Sequence, residues 1–182
     1  WSYSRFMKEF DGFKEWLQYY SKIDAFMSVC KLSRQDGWIK SRYIFNTTCT
    51  PYIHIRSMWH PMIYNSKPNN VNLGIKYKNN MIITGPNAGG KSTYIKNVLI
   101  CVLLSQTITI CPCISIKLTP FHIIESYIHI PDEEGRESLF EAEMYRCKHY
   151  LDKLSRNTGK YLFIVMDELF NSTTPIDGIS GA

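Results

Sequence analysis

Residues 85–92 read GPNAGGKS and match the pattern G-x-x-x-x-G-K-[ST] at every fixed position. A short apolar run, 81–84, precedes them, and apolar residues at helical spacing follow over 92–106. The run is typical of a buried parallel strand. The sequence therefore predicts a strand–loop–helix unit within an α/β domain, and a loop in this context binds the phosphates of a nucleoside triphosphate.

The residue types in this loop suit phosphate binding. Gly89 and Gly90 lack a Cβ, so the backbone can turn its N–H groups inward, and the helix N-terminus adds positive charge. Lys91 is placed to reach the β and γ phosphates, and the Ser92 hydroxyl to ligate Mg²⁺. We expect ATP and Mg²⁺ as ligands, with Lys91 and Asn87 also contributing to catalysis. The candidate nucleotide-binding residues are Gly85, Pro86, Asn87, Ala88, Gly89, Gly90, Lys91, Ser92 and Thr93.

A second apolar run, 161–166, ends directly before Asp167 and Glu168. A strand that ends in acidic residues supplies the other half of a hydrolytic phosphate site. Asp167 is predicted to hold Mg²⁺ together with Ser92, and Glu168 to orient or deprotonate the attacking water. We find no base-recognition motif of a signalling GTPase, which favours ATP hydrolysis.

The remaining patterns predict the other elements. Apolar residues spaced by three and four over 4–34 (Phe6, Phe10, Phe13, Leu17, Tyr20) indicate a helix whose apolar face packs on a domain or a partner helix. Strands are predicted at 52–55, 71–73 and 75–77, and two more within 114–130. A helix is predicted at 138–154, with Leu139, Met144, Cys147 and Leu151 near one face. We divide the chain into a helical segment with a linker, 1–50, and a nucleotide-binding domain, 51–182.

Composition and charge limit the functions that the chain can have. With 45% hydrophobic and 20% charged residues, the 182-residue chain has a globular composition. A net charge of +5 permits contact with nucleic acid but does not require it. For the basic set Lys31, Arg34, Lys40 and Arg42, a solvated surface is favoured over a DNA site.

The sequence contains no apolar run long enough to span a membrane. The six cysteines do not show zinc-ligand spacing, which fits core packing in a reducing intracellular compartment. The chain begins at Trp1 and ends shortly after a motif, so we expect it to be part of a longer protein.

Several segments together resemble the MutS mismatch-repair ATPases. Residues 84–94, TGPNAGGKSTY, resemble the family's Walker A segment, and 167–178 resemble its Walker B segment with the loop after it. Residues 59–61 resemble R-H-P, 68–73 resemble the P-N-D stretch, and 138–144 resemble S-T-F-x-x-E-M. These segments occur in the family's order and cover nearly the whole chain.

The resemblance implies a P-loop NTPase fold of the ABC-type ATPase class. In this fold a sheet that contains parallel strands is flanked by helices. An α-helical segment, the end of the family's lever or core region, comes before the sheet in the sequence. It also implies a homo- or heterodimer in which Ser138 completes the partner's nucleotide site. ATP would then be coupled to a clamp on DNA, which is bound through domains outside this chain.

Departures from the family pattern indicate a divergent branch. Residues 170–172, FNS, replace the usual G-R-G. Ser66 occupies the position at which the family has an aromatic residue that stacks on adenine, and Tyr64 is the candidate substitute. Two alternatives therefore stay open: a MutS-like protein of recombination or branched-DNA processing, and a nucleotide-gated DNA-binding module with weak hydrolysis. An ABC transporter or chromosome motor is disfavoured, since 148–160 lack an L-S-G-G-Q-like segment.

Overall fold

The computed structural model describes residues 3–45, 50–74, 79–128 and 139–168. These residues form a mixed α/β structure. The helices are α1 (Tyr3–Ser33), α2 (Lys91–Ile108) and α3 (Leu139–Arg156). The strands are β1 (Trp38–Lys40), β2 (Arg42–Tyr43), β3 (Ile53–Met58), β4 (Asn69–Leu73), β5 (Ile110–Pro112), β6 (Ser115–Leu118), β7 (Ile123–Tyr127) and β8 (Leu162–Met166).

Helix α1 is confirmed, but the described part of the chain does not cover its apolar face. Phe13 is 58% exposed and Trp16 is 77% exposed, although their spacing places them among a long series of apolar residues. The predicted packing of this face on the domain is therefore not found among the described residues.

Four strands form the largest sheet, in the order β2-β6-β3-β4. β2 runs parallel to β6, and the other two pairs are antiparallel. Side chains alternate as expected for a sheet with one buried face. Ile53, Ile55, Ile116 and Leu118 point into the core, where each is at most 2% exposed.

Strands β1 and β5 form a separate antiparallel pair. No pattern that we singled out in the sequence predicts β5. Since β1 and β2 precede residue 51 and pair with strands beyond residue 109, both predicted segments of the chain contribute to these sheets.

Helix α2 packs on the inner face of the four-stranded sheet. Its buried side chains Val98, Cys101 and Val102 belong to the same core cluster as the inward residues of β3 and β6. Phe163 and Val165 of β8 belong to that cluster too. The helix that follows the phosphate loop therefore shares one core with the strand that ends in the acidic pair.

Strands β7 and β8 form a parallel pair that is covered by α3. The Tyr150 hydroxyl donates to the Ser126 carbonyl at 3.0 Å, and Lys153 forms an ion pair with Glu125. The predicted face of α3 is partly wrong. Leu151 is 66% exposed, whereas Tyr150 is buried. The face of α3 that packs on β7 is therefore offset by one residue from the predicted apolar face.

The predicted buried strand at 81–84 is not formed. Residues 81–84 have no strand assignment, and Ile82 is 91% exposed. No neighbouring strand pairs with this segment among the described residues, and a short apolar run cannot form a strand without a partner. Parallel pairing is present in β2–β6 and β7–β8, but the described strands form three separate sheets rather than one.

Three predictions lie outside these residues in whole or in part. The structure does not describe the strand predicted at 75–77 or residue 138 at the start of the third helix. It also does not describe 169–178, the loop that follows the acidic pair and includes 170–172. Within the described ranges, no helix is long and apolar enough to cross a membrane.

Candidate phosphate-binding site

The loop that leads into α2 has a compact backbone turn. The Gly89 N–H donates to the Pro86 carbonyl at 3.0 Å, and Ala88 and Gly90 adopt left-handed φ angles of 61° and 83°. A Cβ added at Gly89 would lie 2.9 Å from the Pro86 oxygen. The turn therefore requires glycine at this position.

Lys91 folds its side chain back over the loop. Its ammonium nitrogen donates to the carbonyl oxygens of Gly85 and Pro86, both at 2.8 Å. These contacts hold a positive charge beside the exposed residues of the loop. An ammonium group in this place can exchange carbonyl oxygens for the oxygens of a bound phosphate.

The N-terminus of α2 is arranged to accept an anion. Gly90 is its N-cap residue and provides no side-chain acceptor, and the first turn contains no acidic residue. The first N–H groups of a helix lack intrahelical partners and carry partial positive charge. Ser92 and Thr93 lie in this turn, and the loop residues Asn87 to Gly90 before it are exposed.

The acidic pair lies at the carboxyl end of β8. The Asp167 N–H donates to the Tyr127 carbonyl at 2.7 Å, so the backbone of β7 fixes the start of the turn. Glu168 follows with a left-handed φ of 51° and is exposed, while Asp167 is half-buried. Few residues other than glycine adopt this conformation, so Glu168 marks the end of the extended backbone of β8.

Helix α3 holds the end of β7 beside Asp167. The Arg146 guanidinium lies 5.4 Å from the centre of the Tyr127 ring, which is 2% exposed. Burial is the main cause that raises the pKa of Tyr127 to about 12, with the neighbouring Glu143 adding to it. The Tyr127 hydroxyl has no hydrogen-bond partner in the described part of the chain.

An open groove of about 470 Å³ lies in the segment between β3 and β4. Tyr64 lies at the groove and is 93% exposed, whereas the Ser66 hydroxyl accepts a hydrogen bond from the His60 N–H at 3.0 Å. Ser66 is thus engaged within its own loop, and Tyr64 presents a free ring face. The groove is lined by Trp59, Pro61, Met62, Ile63, Tyr64, Asn65, Ser66 and Pro68.

Tyr94 connects the first turns of α2 to the strand that follows the groove. Its hydroxyl donates to the Asn70 carbonyl at 2.9 Å and lies 3.9 Å from the Met81 sulfur. Burial raises the pKa of this tyrosine. The sequence analysis did not single out Tyr94, although its place in the 84–94 segment was the available signal.

The described residues contain no group of three or more His, Cys, Asp or Glu side chains able to hold a metal ion. A Mg²⁺ ion needs about six oxygen ligands and commonly takes several of them from substrate phosphates and water. The binding of Mg²⁺ by Ser92 and Asp167 therefore stays a prediction.

The family profile of MutS domain V matches residues 81–182, more than half of the chain. The chain belongs to the MutS family. It is 30% identical over 167 residues to the DNA mismatch repair protein MutS of Desulforamulus reducens, covering 88% of this chain and 18% of that protein. It is 28% identical over 177 residues to the DNA mismatch repair protein msh3 of Aspergillus terreus, covering 94% and 15% respectively.

A third relative, the DNA mismatch repair protein MSH3 of Candida albicans, is 28% identical over 189 residues, with 98% of this chain and 18% of that protein covered. This MutS-family chain thus spans less than a fifth of the length of these curated relatives. The resemblance of the loop and the acidic pair to MutS segments is accordingly one of family membership.

Proposed function

We propose that this chain binds ATP with Mg²⁺ and hydrolyses it, as the nucleotide-binding part of a MutS-like DNA mismatch repair protein. The observation that supports this most strongly is the loop at 85–91, where Lys91 lies across a glycine turn at a helix N-terminus that has no side-chain cap. This combination of charge and N–H donors favours phosphate over a neutral ligand.

In this proposal the loop and the first turn of α2 bind the phosphates. The N–H groups from Gly90 onward donate to the β-phosphate oxygens, and Lys91 leaves its carbonyl partners to contact the β and γ phosphates. Ser92 and Asp167 hold Mg²⁺, which neutralises charge on the phosphates when it is bound. Asn87 is an exposed residue of the same turn, and we assign its amide a contact with the transferred phosphoryl group.

Glu168 is the proposed general base. Glu168 is exposed and lies one residue beyond Asp167, with a left-handed φ angle. A carboxylate there can orient a water molecule and accept its proton during attack on the terminal phosphate. The difference in exposure between Glu168 and the half-buried Asp167 supports distinct roles for the two residues.

For the base of the nucleotide, Tyr64 is the proposed stacking residue in place of Ser66. Its ring is exposed at the groove, whereas the Ser66 hydroxyl is already bonded to the His60 backbone. Tyr94 links the strand after the groove to α2 through its hydrogen bond with Asn70. The proposed contacts to the base and to the phosphates then lie on segments that this hydrogen bond connects.

The larger assembly follows from family membership. We propose a homo- or heterodimer inside the cell in which Ser138 contacts the partner's nucleotide, so that ATP binding changes a clamp on DNA. Action on recombination or branched DNA stays an alternative, because 170–172 depart from the family pattern. ATP turnover of the complete protein on mismatched duplex and on a four-way junction separates these substrates.

The nucleotide site is tested by replacing its lysine. Lys91→Ala is expected to abolish binding of a fluorescent ATP analogue, and Lys96→Ala is the matched control, because Lys96 is an exposed lysine in the same helix. Equal affinity in the two variants would contradict the proposed site.

The dimer is tested by mixing the Ser138→Ala variant with the Lys91→Ala variant. Recovery of ATP turnover on mixing supports composite sites, and its absence opposes them.

A further inference from the structure

The outer face of the four-stranded sheet carries a group of basic side chains that the nucleotide site does not use. Arg42 of β2 is in register with Lys117 of β6, and Lys117 is in register with His54 of β3. Arg56 lies two residues beyond His54, on the same face. We call Arg42, Arg56, Lys117 and His54 the basic face.

This arrangement places like charges on adjacent strands. Arg42 and Lys117 are register partners, and both are exposed. Like charges opposite each other in a sheet are destabilising. Arg42, His54 and Lys117 come from three strands and are 12 to 75 positions apart in sequence, so they form this face only because the sheet brings them together.

Within the described strands of this sheet, no acidic side chain balances these charges. The described strands β2, β3, β4 and β6 contain neither Asp nor Glu. The ion pair found within the described ranges, Lys153 with Glu125, lies on a different element pair. Beside the basic face lie uncharged hydrogen-bonding groups, since Asn72 bonds to His54 and the Asn70 side chain accepts from the Ser57 N–H.

The basic face also lies on the opposite side of the sheet from α2. The inward residues Ile55 and Ile116 alternate with the outward ones and pack in the core with Val102. The exposed cations are therefore presented on a surface of their own rather than around the phosphate loop. A sheet face with the three cations Arg42, Arg56 and Lys117, amide groups and no carboxylate on its own strands complements the charge of a sugar–phosphate backbone.

We propose that the basic face binds the phosphate backbone of DNA. With strands about 4.8 Å apart, the row from Arg42 through Lys117 to His54 is about 10 Å long, and together with Arg56 the face offers three cations to the phosphates of one strand. The contact is independent of sequence because it involves no base edge, and it does not depend on the proposed nucleotide site. DNA is the polyanion chosen because the matched relatives are named as DNA mismatch repair proteins.

The first test measures how DNA protects Lys117 in the complete protein without nucleotide. Lysines are acetylated with and without saturating duplex DNA, and modification is read by mass spectrometry. We expect at least a fivefold decrease at Lys117 and less than a twofold change at Lys14, an exposed lysine of α1. Unchanged modification of Lys117 overturns the proposal.

The second test measures the salt dependence of DNA affinity. The variant Arg42→Gln/Arg56→Gln/Lys117→Gln keeps polar side chains and is expected to reduce the slope of log K against log salt by about 2.7, or about 0.9 for each lost phosphate contact. The control variant Lys14→Gln/Lys22→Gln/Lys148→Gln changes three exposed lysines elsewhere and is expected to leave the slope within about 0.5 of the parent.

Two further results identify the partner of the basic face and show whether its binding is independent of the nucleotide site. If polyglutamate protects Lys117 but duplex DNA does not, the face binds acidic protein and the DNA proposal is wrong. Lys91→Ala is expected to keep the full protection of Lys117 by DNA. Loss of protection in that variant would show that the nucleotide site and not the basic face controls the contact.

Discussion

The two halves of the candidate nucleotide site are held in place in different ways. The loop at 85–91 is exposed and depends on its own backbone turn, on glycines and on contacts within a few residues. The acidic pair depends on residues far away in sequence, because β7 fixes Asp167 and α3 covers β7. The first half is locally encoded, and the second exists only when the surrounding fold is formed.

This difference predicts that substitutions in the two halves affect phosphate binding and ATP hydrolysis in different ways. Changes in the loop are expected to alter phosphate binding with little effect on overall stability. Changes beneath the acidic pair are expected to lower stability first, and catalysis as a consequence. The following predictions, in order of decreasing effect, test this division.

The largest expected effect is on the core beneath β8. Phe163 is 7% exposed and lies 5.2 Å from the Phe121 ring, so Phe163→Ala removes buried apolar contacts. We expect a loss of about 3–5 kcal/mol in the free energy of unfolding, measured by denaturant titration. Leu151→Ala, at an exposed position of α3, is the control and should change it by less than about 0.5 kcal/mol. Similar values for both variants would contradict the packing of β8.

In the loop, Gly89→Ala is expected to weaken ATP binding by at least about tenfold, or about 1.4 kcal/mol, since the new Cβ would approach the Pro86 carbonyl. The free energy of unfolding should change by less than about 1 kcal/mol, because the loop is exposed. A Cβ at Gly90 would lie within 4 Å of no other atom, but Gly90→Ala must keep a left-handed φ. Comparing the two variants therefore distinguishes the effect of backbone strain from that of a steric clash. An unaltered affinity in Gly89→Ala would contradict the described turn.

Near the acidic pair, Tyr127→Phe removes a buried hydroxyl that has no partner among the described residues. We expect the free energy of unfolding to rise by about 1 kcal/mol. Because the folded-state pKa is raised from 10.0 to about 12, the parent protein should lose stability as pH rises from 10 to 12, and the variant should lose less. Tyr145→Phe, at an exposed tyrosine, is the control. A destabilised Tyr127→Phe would show that the hydroxyl is bonded.

The smallest effect is expected for the ion pair of α3 with β7. Lys153 and Glu125 side chains are 33% and 26% exposed, so solvent screens their attraction. Lys153→Met should lower the free energy of unfolding by about 1 kcal/mol or less, and the difference from the parent should shrink in 1 M salt. A double-mutant cycle with Glu125→Gln measures the coupling, and a coupling above about 2 kcal/mol would contradict this assignment of the pair as screened.

Local patterns in the sequence predict local structure well in this chain. The spacing of apolar residues predicts α1 and α2, and alternation predicts β3, β6 and β7. The glycines of the loop predict a turn whose φ angles are positive at Gly90. In each of these cases the information lies within a window of a few residues.

The failures involve partners that are distant in sequence. The 81–84 segment has the composition of a buried strand, yet no described strand lies beside it, and Ile82 is exposed. The buried face of α3 includes Tyr150 because it packs on β7, which its own periodicity does not reveal. The register of Arg42 with Lys117 likewise depends on sheet pairing, so the sequence could not predict the basic face.

The central claim, that the loop binds ATP and the acidic pair hydrolyses it, is tested most directly by comparing ATP binding and turnover of Glu168→Gln with the parent. The complete protein is used with Mg²⁺. We predict that Glu168→Gln binds ATP with parental affinity and turns it over at least about 100-fold more slowly, since it loses a general base. Turnover at the parental rate would contradict the account.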